Sequence, residues 1–375
     1  MIRGWVFRVG GMLAVIVGIA APAVGQSEVR VIAGSPAGRT VKGPDAAVVN
    51  EPFAVAFDAQ GRLYGVEYTR GNRLFRIARP DDAKGLEGVE FVAGVFHGPD
   101  AKRPPADPAA TVWLNGLHDV AAAADGTVYL ADTFNHRICA FDPATGAVRV
   151  VAGTGAAGFS GDGGPADRAE FKQAYCGSLT PDGRGLLVAD IGNARLRRVD
   201  LVARTVETLA GSGKSGKPVD GAKPLETPLA GPRAACAAAD GTVFLALREG
   251  NALVEIKGGV VRTVVNATGK AGYGGDGGPG REALLAGPKY VSLDRQGRVL
   301  IADTENHCIR RYDPASGTIR LVAGVPGRKG AAVGTGLLAT ELARPHGCTL
   351  DPRGRLVIAD SDNDRLVIGD LPAAP

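Results

Sequence analysis

The chain has 375 residues, of which 55 are glycine, 45% are apolar and only 5% are aromatic. Glycine at about twice its usual share excludes a coiled coil or helical bundle, and the apolar fraction excludes a disordered chain. Basic and acidic residues number 43 and 39, for a net charge of +4 with no basic run, so nucleic acid is not expected as a partner.

The first element is a leader. Arg3 and Arg8 precede an apolar run over 12–21, and Ala23-Val24-Gly25 then offers small residues before Gln26. This is the pattern of a secretory signal peptide spanning 1–25. Its apolar run is shorter than the ~20 residues that span a bilayer. Residues 26–375 are therefore expected to be exported, periplasmic or extracellular, without membrane insertion once the signal is cleaved.

Beyond the leader, one pattern recurs. Val150-Val151-Ala152-Gly153 returns in recognisable form at 31–34, 91–94, 208–211, 263–266 and 321–324. Ala131-Asp132-Thr133-Phe134-Asn135-His136-Arg137-Ile138 returns at 189–196, 302–309 and 359–366, and in degraded form at 66–74 and 246–253. Its asparagines, Asn72, Asn135, Asn193, Asn251, Asn306 and Asn363, are spaced by 63, 58, 58, 55 and 57 residues. A fixed period of this length marks a repeat architecture.

Each copy carries four short strand signals. In the second they are Asp119–Ala124, Thr127–Ala131, Arg137–Phe141 and Ala147–Ala152, separated by turn-forming residues. Four strands per repeat, with no helix long enough for a crossover, predict an all-β, six-bladed β-propeller of four-stranded antiparallel blades. The blades are expected near 50–94, 115–153, 172–211, 230–266, 286–324 and 343–370. The last copy has only three strand signals. Val29–Ala33 matches the missing outer strand, so the N-terminal strand (29–34) is expected to join the last blade and close the ring.

These phrases, together with Gly153-Thr154-Gly155-Ala156-Ala157-Gly158-Phe159-Ser160-Gly161-Asp162-Gly163-Gly164-Pro165-Ala166, are similar to NHL repeats of the secreted bacterial type. The resemblance covers about 29–370. It implies a six-bladed propeller and leaves function open, because propellers host many activities.

Several local motifs are better read as scaffold. Gly153-x-Gly155-x-x-Gly158 matches a dinucleotide fingerprint but lacks the helix that must follow it. The loops at 158–166 and 272–280 share Gly-Asp-Gly-Gly-Pro, and Asp162 or Asp276 could bind calcium there. A tight interblade turn with glycines at positive φ is the favoured reading. Asp360-x-Asp362-x-Asp364 lacks the glycine and final glutamate of a calcium loop. In the repeated Asp-x-x-Asn turn the Asp is expected to accept backbone N–H groups and the Asn to adopt a left-handed backbone. His136 and His307 lie in that turn and are expected to be structural. Cys139, Cys176, Cys236, Cys308 and Cys348 show no metal or haem spacing and are expected to be buried without disulfides.

Aligning the innermost strands singles out one variable position per blade: Phe53, His118, Tyr175, Arg233, Lys289 and His346. Inner strands line the central channel, so these six are expected to ring its mouth. Two fixed cations and two imidazoles there would attract carboxylate or phosphate groups. The expected ligand is an anionic small molecule, a glycan, or a protein or peptide end, held by a monomeric binding or scaffolding module. No cofactor is expected in that reading.

The alternative is a metal-assisted lyase or hydrolase using the same mouth, with zinc or calcium. Leu117-His118-Asp119-Val120 and Pro345-His346-Gly347-Cys348 resemble the zinc-histidine phrases of peptidyl-hydroxyglycine α-amidating lyase. That resemblance implies His118 and His346 as metal ligands, with Tyr175 as base and Arg233 as carboxylate clamp. The third ligand position holds Arg233, which cannot bind zinc. A gluconolactonase-like hydrolase would need acidic calcium ligands, and only Asp119 is near.

Overall fold

The computed structural model describes residues 28–38, 48–83, 87–98, 101, 113–175 and 177–372. The leader at 1–25 and Cys176 lie outside them. The fold is a ring of six four-stranded antiparallel sheets. From the channel outward, blade 1 is β2 (Pro52–Phe57), β3 (Leu63–Glu67), β4 (Leu74–Ile77) and β5 (Val89–Ala93). Blade 2 is β6 (Leu117–Ala122), β7 (Val128–Asp132), β8 (Arg137–Phe141) and β9 (Val148–Ala152). Its first strand begins and ends two residues before the sequence-based expectation, because pairing continues into the apolar Leu117.

Blade 3 is β10 (Ser178–Leu179), β11 (Gly185–Asp190), β12 (Arg195–Asp200) and β13 (Thr205–Ala210). Blade 4 is β14 (Pro232–Ala237), β15 (Val243–Leu247), β16 (Ala252–Lys257) and β17 (Val260–Val265). Blade 5 is β18 (Pro288–Leu293), β19 (Val299–Asp303), β20 (Cys308–Asp313) and β21 (Thr318–Gly324). Blade 6 is β22 (Gly347–Leu350), β23 (Arg355–Asp360), β24 (Arg365–Asp370) and, from the other end of the chain, β1 (Arg30–Ala33). β1 pairs antiparallel with β24, Arg30 opposite Ile368 and Val31 opposite Val367.

Alternation along each strand gives every sheet two apolar faces, so the core lies between blades. One layer joins blades 2 and 3 around Phe171, and another joins blades 6 and 1 around Ile32 and Phe75. The glycine-rich linkers do more than turn. The linkers entering blades 3, 4 and 5 run along the outermost strand of the blade they enter. Gly163, Gly221 and Gly277 donate their N–H groups to Val206, Val261 and Ile319 at 2.7–2.8 Å. This covers edges that would otherwise invite pairing with another chain.

The loop aspartates are engaged by arginine. Asp162 bonds the buried Arg197 at 2.7 Å and Asp276 the buried Arg310 at 2.8 Å. Gly161, Gly163, Gly275 and Gly277 have positive φ, as the turn reading requires. The four described cysteines are buried free thiols.

Candidate functional site

The turns between the second and third strands build the site. Asp132, Asp190, Asp303 and Asp360 each accept a backbone N–H from the linker 17 or 18 residues upstream, at 2.6–2.8 Å. The left-handed residue differs from the expectation. In the four regular copies it is the residue after the Asn, namely His136, Ala194, His307 and Asp364. Only in the degraded copies is it the asparagine itself, Asn72 and Asn251. The regular asparagines instead donate to the Asp and to a linker carbonyl, as Asn306 does to Asp303 and Gly272, both at 2.8 Å.

These left-handed residues reach into the next blade. Asn72, His136, Asn251, His307 and Asp364 accept the N–H groups of Gly116, Gln173, Gly287, Arg344 and Glu51 at 2.6–3.2 Å. Each of these N–H donors lies two residues before a member of the ring and itself has positive φ. His136 and His307 are thus structural acceptors. Thr133, Thr304 and Ser361 add hydroxyl bonds to the carbonyls of Ala174, Pro345 and Pro52, the residues just before Tyr175, His346 and Phe53. Five of the six ring residues, all but Arg233, are thus positioned by the preceding blade, since the left-handed residue of blade 3 is Ala194, which has no side-chain acceptor.

A second device aims the side chains. The β6–β7, β2–β3, β14–β15 and β18–β19 ladders shift register at His118, Phe53, Arg233 and Lys289. A bulge re-aims the side chain it carries. All six residues singled out from the sequence line one cavity, together with Asp119, Ala234 and Tyr290. Its volume is about 10 Å³, room for about one water molecule.

The floor closes the channel. The Tyr290 hydroxyl in blade 5 crosses to Asp119 in blade 2 at 3.2 Å, and Asp119 also accepts the Gly177 N–H at 3.0 Å. Aromatic contacts form one wall. Phe53 stacks on Tyr68 at 4.2 Å and on His346 at 3.9 Å, and meets His118 edge-on at 5.0 Å. His118 lies 3.9 Å from Tyr175, and the Arg233 guanidinium sits 3.9 Å over the same ring.

Charge on the other side is unbalanced. Arg233 is buried, and no carboxylate pairs with it among the described residues. Burial, with help from nearby Arg248, lowers its pKa to about 10. Lys289 donates to Nε2 of His346 at 3.1 Å and pairs with Glu305 at 3.0 Å. Burial pulls Lys289 down to about 8. Burial would raise Glu305, but bonds from Arg344 and Lys289 hold it at about 2. Burial and the surrounding cations push both His118 and His346 well below the usual imidazole range. Both rings are neutral at pH 7, and His118 Nε2 and His346 Nδ1 are buried without a hydrogen-bond partner.

This arrangement does not fit a metal shared by His118 and His346. Phe53 packs against both imidazoles, and an ammonium occupies His346 Nε2. Among the described residues no three His, Cys, Asp or Glu side chains gather as a metal set. Three participants escaped sequence reasoning: Tyr68, Tyr290 and Glu305. Tyr68 had a signal, because the matching positions hold Thr133, Thr304 and Ser361.

Comparison with known proteins completes the description. An NHL repeat is matched at residues 285–312. The chain is 26% identical to NHL repeat-containing protein 2 of Gallus gallus over 279 residues, which are 67% of this chain and 38% of that protein. It thus spans well under half of that relative's length. A crystal structure of an auxiliary nutrient binding protein from Bacteroides thetaiotaomicron is similar with a TM-score of 0.63 and 14% identity, covering 93% of this chain and 78% of the other. A gluconolactonase from Xanthomonas campestris is similar with a TM-score of 0.56 and 13% identity, covering 93% and 91%. At such identities the likeness to these two structures is one of fold. No helix among the described residues is long and apolar enough to cross a membrane.

Proposed function

We propose that this chain, an NHL-repeat six-bladed β-propeller, is an exported binding module that holds the anionic end of a small molecule, glycan or peptide at its channel mouth. One observation carries the reading: Arg233 is buried at the mouth, stacked on Tyr175, without a carboxylate partner among the described residues. A buried guanidinium is costly unless it is paired, and its planar donor fork suits carboxylate or phosphate. Lys289 adds a second cation within the same cavity. The nutrient-binding name of the Bacteroides structure supports a binding role, and the leader pattern supports export.

Calorimetric titration with small carboxylates, uronate oligosaccharides and free peptide C-termini tests the site. Arg233→Ala combined with Lys289→Ala is expected to abolish whatever binding the parent shows. Unchanged affinity in that variant would remove the mouth as the site. Export is checked by sequencing the N-terminus of the protein secreted from its host, expected at Gln26. Full-length protein retained inside the cell would refute it.

A further inference from the structure

We infer that the group recognised at the mouth is a hydroxy-carboxylate: a carboxylate with a hydroxyl on the neighbouring carbon, as at the end of a 2-hydroxy acid or a sugar acid. The inference rests on the anion-binding reading and deepens it. It starts from two unsatisfied nitrogens.

His118 Nδ1 lies 3.0 Å from the carbonyl oxygen of Gly116. A carbonyl only accepts, so Nδ1 carries the proton and Nε2 of the neutral ring is a bare acceptor. That atom is buried and has no partner. A buried acceptor left unsatisfied is costly, so its site favours a ligand that supplies a proton donor. An ionised carboxylate has no proton to offer. The ligand that neutralises Arg233 therefore cannot by its anion alone satisfy His118. A donor beside the anion is required.

The surrounding charge chooses that donor. An ammonium group would face Arg233 and Lys289 in the same cavity, with Arg344 behind them on Glu305. A hydroxyl donates without adding positive charge. It also keeps its lone pairs, which the second orphan can use. Lys289 donates to Nε2 of His346, so the proton of that ring sits on Nδ1, a donor without a partner. One ligand end carrying a carboxylate and a hydroxyl thus answers the unpaired guanidinium, the bare acceptor and the orphan donor together.

The cavity holds about 10 Å³, room for one oxygen atom, and is floored by Asp119 and Tyr290. Recognition is therefore end-on: the hydroxyl takes the place of that one water, and the carboxylate stays at the rim beside Arg233. A site built to hydrogen-bond a hydroxyl discriminates strongly against the analogue lacking it.

The test compares matched acids by calorimetry at pH 7.5: glycolate with acetate, and each lactate enantiomer with propionate and alanine. Glycolate and one lactate are expected to bind at least about tenfold tighter than the acid lacking the hydroxyl, the loss of one buried hydrogen bond. Alanine is expected to bind no better than propionate. His118→Phe is expected to close the glycolate–acetate gap, both acids then binding with the same affinity. If that variant does not melt cooperatively, the imidazole nitrogen-15 shift of His118 in the parent gives the same information, moving with glycolate and not with acetate. Equal affinities for glycolate and acetate overturn the hydroxyl inference and leave anion binding standing. Absence of binding for every acid overturns both.

Discussion

Arg365 is the most informative residue for the closure of the ring. It lies on β24, fully buried, and its guanidinium joins four separate segments. Nε bonds Asp360 at 2.7 Å, Nη1 bonds the carbonyls of Pro36 and Ala331 at 2.6 and 2.7 Å, and Nη2 bonds Glu341 at 3.0 Å. Pro36 follows β1, so one side chain ties the N-terminal strand to the last blade. Arg365→Met keeps most of the volume and removes every donor. Asp360, also fully buried, is left with Asn363 and the Ala343 N–H.

Breaking such a pair by removing one partner costs about 3–5 kcal/mol. An unfolding entropy of about 2.1 cal/mol/K per residue gives about 0.7 kcal/mol/K for a propeller of this size. A loss of about 4 kcal/mol then lowers Tm by about 6 °C, measurable by calorimetry. Asp360→Asn in the Arg365→Met background is expected to recover part of the loss, because it removes the stranded charge. A single variant melting within 1 °C of the parent would refute the reasoning. A double variant no better than the single would show that the stranded carboxylate is not the source of the cost.

Two further outcomes follow from the same frame. Deleting 29–34 removes β1 and exposes β24, which should lower Tm well below that of Arg365→Met. A truncated protein melting like the parent would mean that β1 does not close the ring. Asp303 provides a pH test: burial raises its carboxyl from 3.8 to about 7, against the bonds from Ala286 and Asn306. The native state then binds its proton more tightly than the unfolded chain, so Asp303 makes stability fall as pH rises from about 4 to about 7. Denaturant titrations are expected to show a flatter pH dependence across that window in Asp303→Asn, and an unaltered slope would contradict the assignment.

The sequence by itself determined the repeat, the number of blades, the order of strands and the residues of the ring. These depend on periodicity and on turn residues, which are local. The six positions Phe53, His118, Tyr175, Arg233, Lys289 and His346 were legible because one variable position stood out against a repeated background. Tertiary structure decided what that ring is like. The Tyr290–Asp119 bond that floors the cavity joins residues 171 apart in the chain. The stacking of Phe53 between Tyr68 and His346 depends on the bulge at Phe53 and on the closing of the ring. Sequence suggested two histidines free to share a metal. Packing placed an aromatic ring against both and an ammonium on one, and left Arg233 unpaired among the described residues. Such facts belong to contacts between blades, and a repeat written one blade at a time does not contain them.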